Sequence, residues 1–210
     1  MENKVKLSTS AGAVQEHWRK TQEFKGEGYE SYEDKLHAKR VLVRRKYLAK
    51  LITDKKPKKV LEIGCFGGYN LRLIHEIDKK IELFGFDINK NALKYAKEKL
   101  PAINTVNGSI YELEKYFKEN TFDLVFTAGV LIHIPCEDIE QALAAIMSIS
   151  KQHVIHAEHH GESSRIVDKR MRWIHDFNKL YGGHEVSIET APNPSNGFQE
   201  IIQVKLNKEI

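Results

Sequence analysis

The stretch VLEIGCFGGYN, residues 60–70, decides the fold of this chain. An apolar run that contains one acid, Glu62, ends at Ile63, and glycines follow at positions 64, 67 and 68. Glycines let the backbone turn sharply and approach a ligand without a Cβ in the way. A helix that begins there offers free N–H groups to an anion. The stretch therefore predicts a buried strand, a ligand-binding turn and a helix.

Strand and helix patterns alternate along the chain from this stretch onward. The helical segments between the strands are YNLRLIHEID, NKNALKYAKEKL and EDIEQALAAIMSIS. The strand segments are KVLEIG, IELFGFD, AINTVNG, FDLVFTAG and QHVIHAEHH, and then HEVSIETAP and GFQEIIQVKL around the turn-rich NPSNG. Such alternation predicts an α/β fold with a doubly wound, mostly parallel seven-stranded sheet that closes with a C-terminal antiparallel hairpin.

Length and composition predict one domain with an appended N-terminal segment. The chain has 210 residues, which suits a single full core. Apolar residues recur at helical spacing between positions 34 and 53, and Pro57 ends that pattern. We expect residues 1–54 to form a helical segment packed on a core domain of residues 55–210. The segment SSRIVDKRMRWIHDF, residues 163–177, stands where such a core domain carries a plain helix.

Charge and cysteine content favour a cytoplasmic protein without a nucleic-acid partner. The net charge of +4 permits an anionic substrate but does not argue for a nucleic-acid surface. Cys65 and Cys136 lie far apart, as expected of reduced thiols, and no apolar run approaches the roughly 20 residues of a membrane span. We expect no nucleic-acid partner and no membrane, and either a monomer or a homodimer.

Two acids at strand ends narrow the choice of cofactor. Asp87 ends the second strand, where a carboxylate can accept hydrogen bonds from both hydroxyls of a ribose. A dinucleotide-binding turn follows the pattern G-x-G-x-x-G without a preceding acid, whereas this chain has E-x-G-x-F-G-G. The leading Glu62 suits a cofactor that carries an amino group as well as a ribose. That combination points to S-adenosylmethionine.

The motifs VLEIGCFGGYN, GFDINKNALKYAKEKL, NGSIYEL and FDLVFTAGVLIHI resemble, in this order, those of class I S-adenosylmethionine-dependent methyltransferases. The resemblance runs from about Val60 to Ile134. EIGCFGGYNL and TAGVLIHI followed by EDIEQAL are also loosely similar to methylases of pseudaminic acid and surface-glycan biosynthesis. The resemblance implies a cofactor site made of Glu62, Gly64, Cys65, Phe66, Gly68, Asn70, Asp87, Ile88, Ser109, Ile110, Thr127, Ala128 and Gly129. Phe66 stands at the usual middle glycine, with Gly67 beside it, so the loop geometry departs from the family pattern.

Histidines and arginines near the predicted strand ends are candidates for the chemistry on the acceptor. Methyl transfer from a sulfonium needs alignment of the nucleophile, and a hydroxyl nucleophile gains from a base such as histidine. His133 follows the fourth strand. In HAEHHGE, alternation places His156, Glu158 and His160 on one face of the strand and His159 on the other. Such a group can supply a base, a substrate clamp or a metal site, although the spacing matches no specific metal motif.

We predict catalytic roles for His133, His156 and Glu158. An arginine-rich segment and three N-terminal aromatic residues complete the candidates. Arginine forks suit phosphate or carboxylate groups. The resemblance implies a lid over the cleft that bears Trp18, Tyr29 and Tyr32. The expected substrate contacts are His160, Arg165, Arg172 and Trp173, in a cluster that also contains Lys169, Arg170 and His175.

The leading hypothesis is therefore methylation of a small, anionic or sugar-derived metabolite, most simply at oxygen. NPPY-type sequences, which resemble those of amino-methylating DNA or glutamine enzymes, are absent after the fourth strand. TAGV stands there instead, which weakens the case for nitrogen as the methylated atom. An RNA or tRNA methyltransferase, a dinucleotide-dependent oxidoreductase and a non-catalytic methyltransferase-like protein remain as alternatives.

Overall fold

The computed structural model describes residues 11–20, 39–162, 165–168, 172–192 and 200–208. The α-helices in these ranges are α1 (Ala11–Lys20), α2 (Lys39–Asp54), α3 (Tyr69–Ile77), α4 (Lys90–Lys99), α5 (Leu113–Tyr116), α6 (Ile139–Ile149) and α7 (Phe177–Leu180). The strands are β1 (Lys59–Ile63), β2 (Glu82–Asp87), β3 (Asn104–Asn107), β4 (Phe122–Ala128), β5 (Ser150–Glu158), β6 (Arg165–Asp168), β7 (Arg172–Ile174), β8 (Glu185–Thr190) and β9 (Glu200–Lys205).

Seven of the described strands form one sheet in the order β3-β2-β1-β4-β5-β9-β8. The strands from β3 to β5 are parallel, and β9 is antiparallel to both β5 and β8. The predicted doubly wound sheet with a closing antiparallel hairpin is confirmed. The strand order reverses between β1 and β4, so the carboxyl ends of β1, β2, β4 and β5 meet along one edge, where open α/β sheets bind ligands.

A hydrophobic core covers each face of the sheet, because successive side chains along a strand point to opposite faces. Leu61 and Val125 belong to one core cluster, and Val60 and Leu124 belong to the other. Each of these four side chains is fully buried. None of the helices in the described ranges combines the length and apolar composition that crossing a membrane requires.

Helix α2 is fixed to the core domain by apolar packing and by a hydrogen bond. Leu48, Ala49 and Ile52 are buried in the core cluster that also holds the apolar side of α3. Tyr47 donates its hydroxyl hydrogen to Oε1 of Glu189 on β8, at 3.0 Å. The helix expected between positions 34 and 53 is present as Lys39–Asp54, and residues 34–38 lie outside the described ranges.

The helix expected over residues 163–177 is wrong for the described part of that segment. Strands β6 and β7 form an antiparallel pair there, with Ile166 opposite Trp173. Exposure alternates along β7, with Trp173 buried between half-buried neighbours. This period of two is that of a strand, and it places the indole in the interior while the neighbouring side chains face the other way.

Candidate functional site

The glycine turn between β1 and α3 has left-handed backbone at three positions. The φ angles are 70° at Gly64, 45° at Phe66 and 71° at Gly68. A Cβ added at Gly64 would lie 2.2 Å from Cγ2 of Val130, so the loop after β4 packs directly on bare backbone. Phe66 holds its unusual conformation because its N–H donates to Oδ2 of Asp87 at 2.8 Å. The turn is thereby fastened to β2 on one side and to the loop after β4 on the other.

Glu62 is a buried carboxylate with one oxygen left open. Its side chain is 2% exposed, and Oε1 accepts a hydrogen bond from the Asn70 amide at 2.5 Å. Oε2 has no hydrogen-bond partner within the described part of the chain. Burial raises the pKa of Glu62 to about 8, although the Asn70 hydrogen bond and the charge of Arg45 act in the opposite direction. Buried polar atoms are normally paired, so Oε2 indicates a missing cationic or hydrogen-bonding partner.

Arg45 on α2 extends this cluster, and sequence reasoning missed it. Its Nη1 donates to Oδ1 of Asn70 at 2.8 Å, so the amide of Asn70 bridges the guanidinium and Glu62. The guanidinium also lies 5.6 Å from the centre of the Tyr69 ring. The guanidinium of Arg45 and the carboxyl group of Glu62 therefore both contact Asn70, and once Glu62 is ionised the two suit the two ends of a free amino-acid group.

Asp87 occupies the neighbouring strand end, as predicted. Oδ1 accepts from the N–H of Asn89 at 2.7 Å, and Oδ2 accepts from the N–H of Phe66. Burial raises the pKa of Asp87 to about 6, and these backbone hydrogen bonds oppose the rise. A carboxylate has about four acceptor positions, so Asp87 can brace the glycine turn and still accept hydrogen bonds from hydroxyl groups.

The other predicted cofactor residues divide between the edge of the sheet and the core. Ile88, Ala128 and Gly129 are half-buried at strand ends. Ile110 and Cys65 are buried and belong to the two core clusters. Ser109 caps the short 3-10 turn that follows β3, with its hydroxyl oxygen 3.4 Å from the N–H of Tyr111. Gly67 is closed over by the Tyr69 ring, since a Cβ there would lie 2.7 Å from it.

The loop after β4, residues 129–134, is held by two buried side chains. Oε1 of Glu158 accepts from the N–H of Val130 at 2.8 Å, and Oε2 accepts from the N–H of Ile132 at 3.3 Å. Nε2 of His175 lies 3.0 Å from the carbonyl oxygen of Leu131 and 3.1 Å from that of Ile134, so it donates to both. Glu158, a predicted catalytic residue, thus accepts hydrogen bonds from backbone and side-chain donors at its two oxygens, and burial raises its pKa.

His133, the first predicted catalytic residue, lies on this loop beside the N-terminal helix. The loop forms a short 3-10 turn over Leu131–His133, and the imidazole is half-buried. The ring of Trp18 on α1 meets it edge-on, with 4.8 Å between ring centroids. Helix α1 therefore lies against the loop that follows β4. Tyr29 and Tyr32, the other predicted lid residues, lie outside the described ranges.

His156, the second predicted catalytic residue, lies inside the protein. It is fully buried and stacks on the rings of Phe177 and Tyr181. Nδ1 is 2.8 Å from Oγ1 of Thr127, and Nε2 is 2.7 Å from the hydroxyl of Tyr181. Burial lowers the pKa of His156 to about 3, so the ring is neutral at physiological pH. The structure does not bring this ring to the surface of the cleft.

The predicted substrate residues that the structure describes have different surroundings. His160 pairs with His175 in an isolated bridge, and its Nδ1 accepts from the N–H of Phe177 at 3.4 Å. Trp173 is 5% exposed and belongs to the interior. Arg172 is half-buried, and its charge, with that of Arg44, adds to burial in lowering the pKa of His159. Arg165 begins β6, and Lys169 and Arg170 lie outside the described ranges.

No three His, Cys, Asp or Glu side chains in the described ranges come together as ligands for a metal ion. The HAEHHGE segment instead distributes its polar side chains among separate partners. Glu158 binds the loop after β4, His156 contacts Thr127 and Tyr181, and the N–H of His160 donates to Glu200 at 3.1 Å. The polar groups at this strand end are therefore employed in hydrogen bonds within the protein.

The part of the chain that holds this site matches a known domain family. Residues 60–153 match the family model described as a methyltransferase domain. The matched region contains the glycine turn, Glu62, Asp87 and the loop after β4. It ends within β5, before the C-terminal hairpin.

Solved structures of methyltransferases share the fold at low sequence identity. Magnesium protoporphyrin IX methyltransferase from Synechocystis, solved with S-adenosylhomocysteine, superposes with a TM-score of 0.69 at 15% identity, over 93% of this chain and 99% of that one. A methyltransferase from Archaeoglobus fulgidus gives 0.62 at 19%, over 85% and 100%. A proposed O-methyltransferase from Nostoc punctiforme gives 0.64 at 21%, over 77% of this chain, which spans only 55% of that longer one.

The family match and the fold confirm the predicted enzyme class. Residues 60–153 match a methyltransferase domain, and the chain shares its fold with methyltransferases solved with S-adenosylmethionine or S-adenosylhomocysteine. The open oxygen of Glu62, the adjacent carboxylate of Asp87 and the bare backbone of the glycine turn fit S-adenosylmethionine, which carries an ammonium group and a ribose. The loose similarity to surface-glycan methylases has no support among these matches.

Proposed function

We propose that this chain methylates an oxygen atom of a small, anionic or sugar-derived metabolite of surface-glycan or secondary metabolism, with S-adenosylmethionine as the methyl donor. The observation that carries the proposal is the pair of buried carboxylates at neighbouring strand ends, Glu62 with an open Oε2 and Asp87 beside it. Two such groups are costly to bury without a ligand, and together they select a molecule that carries a cation and a diol.

The residues around these carboxylates divide the recognition of the cofactor among themselves. Glu62 would accept hydrogen bonds from the ammonium group, and Arg45 would bind the carboxylate of the same amino-acid end. Asp87 would accept from the ribose hydroxyls. When bound, the cofactor supplies the methyl group and a thioether leaving group. Because that leaving group needs no acid, the protein's task is alignment of the acceptor and exclusion of water.

His133 is the residue that we assign to the acceptor hydroxyl. It is the one of the three predicted catalytic residues whose side chain is half-buried rather than enclosed. A neutral imidazole there can accept the hydroxyl proton as the oxygen attacks the methyl carbon. Trp18 covers one edge of the ring. The contact supports a lid role for residues 1–54, in which α1 shields the reacting groups from water.

The anionic character of the acceptor is supported by the basic groups beyond the end of β5. Arg44 and Arg172 both act electrostatically on His159, which lies immediately after β5. A phosphate or carboxylate on the acceptor would gain from this charge. The O-methyltransferase name of the Nostoc structure also favours oxygen as the attacked atom, and the magnesium protoporphyrin methyltransferase favours a small-molecule acceptor.

Calorimetry with S-adenosylhomocysteine tests the cofactor assignment. We expect wild-type protein to bind it, and Glu62→Gln and Asp87→Asn each to weaken binding by roughly tenfold or more, because each removes charge-assisted hydrogen bonds. Ser150→Ala is the matched control, since Ser150 is buried at the opposite, amino end of β5. Binding of a nicotinamide dinucleotide in place of the nucleoside would favour the oxidoreductase alternative and refute the proposal.

A labelled-methyl assay against phosphorylated, carboxylated and nucleotide-linked sugars tests the acceptor class. We expect base-stable product, typical of an ether, from at least one of these compounds, and His133→Ala should lower its rate of formation by roughly 100-fold or more. The same variant should keep its affinity for S-adenosylhomocysteine. Transfer to tRNA or bulk RNA with a steep salt dependence, and none to the small-molecule panel, would refute the small-molecule acceptor.

A further inference from the structure

Four buried side chains join the interior of the protein to the loop after β4. Tyr181, His156, Thr127 and Glu158 form a continuous hydrogen-bonded series, with contacts of 2.7, 2.8 and 2.9 Å. None of the four exceeds 1% exposure. We propose that this series is a positioning network that sets the conformation of residues 129–134 and thereby the placement of His133 and the glycine turn.

The hydrogen atoms of the series have one consistent direction. The hydroxyl of Thr127 donates to Oε1 of Glu158, so it must accept from Nδ1–H of His156. Nε2 of His156 then carries no hydrogen and accepts from the hydroxyl of Tyr181. Glu158 is the acceptor at the end, since Val130 and Ile132 also donate their N–H groups to it. Every donor in the series is thus used once, and the carboxylate at its end accepts from the Thr127 hydroxyl and the two backbone N–H groups.

The loop transmits this arrangement to two parts of the site. Val130, which Glu158 holds through its N–H group, packs on Gly64, where there is no room for a Cβ. The same loop turns over Leu131–His133 and presents the imidazole of His133 next to Trp18. A loss of the Glu158 contacts would therefore alter both the glycine turn of the cofactor site and the position of His133, the proposed base.

The series has the properties of a positioning device and not of a group that touches the substrate. Both nitrogens of His156 and both oxygens of Glu158 are engaged inside the protein. A base must reach the proton that it removes, and a fully buried ring with two partners does not. His156 and Glu158 act through the loop, and His133 remains the residue that can meet the acceptor.

Thr127 offers a pair of substitutions that separates this role from simple packing. Thr127→Val keeps the shape and removes the hydroxyl, whereas Thr127→Ser keeps the hydroxyl and removes a methyl group. The measurement is amide hydrogen exchange at Val130 and Ile132, monitored by NMR on the full chain. We expect exchange at both amides to accelerate by roughly tenfold or more in Thr127→Val, because two buried groups lose their partner, and to stay within about threefold in Thr127→Ser.

Binding of S-adenosylhomocysteine gives a second readout, which rests on the proposed function, whereas the exchange readout does not. Thr127→Val should weaken binding by roughly tenfold, and Thr127→Ser should restore it. Absence of binding by wild-type protein would refute the proposed function. The exchange data would still test the network in that case. Greater damage from Thr127→Ser than from Thr127→Val, or equal exchange in the two variants, would show a packing role and overturn the network.

Tyr181→Phe provides an independent variant at the far end of the series. It removes one hydroxyl and leaves the ring that stacks on His156. We expect faster exchange at Val130 and Ile132, smaller in size than in Thr127→Val, and no change from the remote Ser150→Ala. This variant decides the question if Thr127→Val does not fold. Uniform acceleration over the whole sheet, or none at the two amides, would overturn the proposal.

Discussion

The affinity for S-adenosylhomocysteine should rise with pH because Glu62 must lose a proton to bind an ammonium group. Burial raises the pKa of Glu62 to about 8 in the free protein. With that value, about one-tenth of the carboxyl groups are ionised at about pH 7 and about one-hundredth at about pH 6. The apparent dissociation constant should therefore increase about tenfold between these two pH values. Asp87, with a pKa of about 6, adds roughly a further factor of two at the lower end.

Calorimetry in two buffers of different ionisation enthalpy measures this linkage directly. Near pH 7 we expect release of close to one proton for each nucleoside bound, because binding converts neutral Glu62 to its ionised form. The variant Glu62→Gln has no proton to lose there. It should bind more weakly at every pH, and its affinity should be almost independent of pH between about 7 and 8.

The stability of the free protein should change in the opposite sense over the same range. Burial raises the pKa of Glu62 above its ordinary value of 4.5, so the folded state retains a proton that the unfolded state releases. The corresponding stabilisation is present at low pH and is lost as the pH rises through about 8. Affinity that is flat or that falls between pH 6 and 8, with no proton released, would refute this account of Glu62.

Three further changes should produce measurable effects. Because burial lowers the pKa of His156 from 6.5 to about 3, wild-type protein should lose about 2 kcal/mol of unfolding free energy relative to His156→Asn between about pH 6.5 and 5, measured with urea. Lys208→Met should cost about 1–2 kcal/mol in the same assay, because Nζ donates to Asn120 and to the carbonyl groups of Met147 and Ser150 at 2.6, 2.7 and 2.5 Å; an unchanged value would contradict this. Gly64→Ala should cost about 2–4 kcal/mol and prevent nucleoside binding, and adding Val130→Ala should recover part of the loss, since the added Cβ meets Val130 at 2.2 Å.

The sheet and the positions of the two candidate acids could be predicted because their signals are local. A strand such as β4 is a run of apolar residues with a period that a helix does not have. Glu62 and Asp87 were identifiable because each stands at the end of such a strand, and parallel strands bring their carboxyl ends to one edge. Asn89 was likewise recognisable as a helix cap, and its Oδ1 accepts from the N–H groups of Asn91 and Ala92.

The contributions of Arg45 and Tyr181 could not be predicted because no local pattern marks them. Arg45 lies in a helix with several basic residues, and only the packing of α2 on α3 selects it as the partner of Asn70. Tyr181 meets His156 from a short segment after α7. The β6–β7 pair was missed for a related reason, since the basic residues around Trp173 suit a solvated helix as well as a strand until the burial of the indole decides between them.

The buried acids at this edge of the sheet differ in function because they differ in what already binds them. Asp87, Glu62 and Glu158 end, or nearly end, β2, β1 and β5, so in sequence they are equivalent candidates. Glu158 receives hydrogen bonds at both oxygens from β4 and the loop that follows it, and its charge is satisfied within the protein. Among the described residues, one oxygen of Glu62 has no partner, so we expect its burial to be balanced when a cation binds. We therefore propose that Glu62, which the fold leaves incomplete, binds the ligand, and that Glu158, whose hydrogen bonds the fold completes, positions the loop.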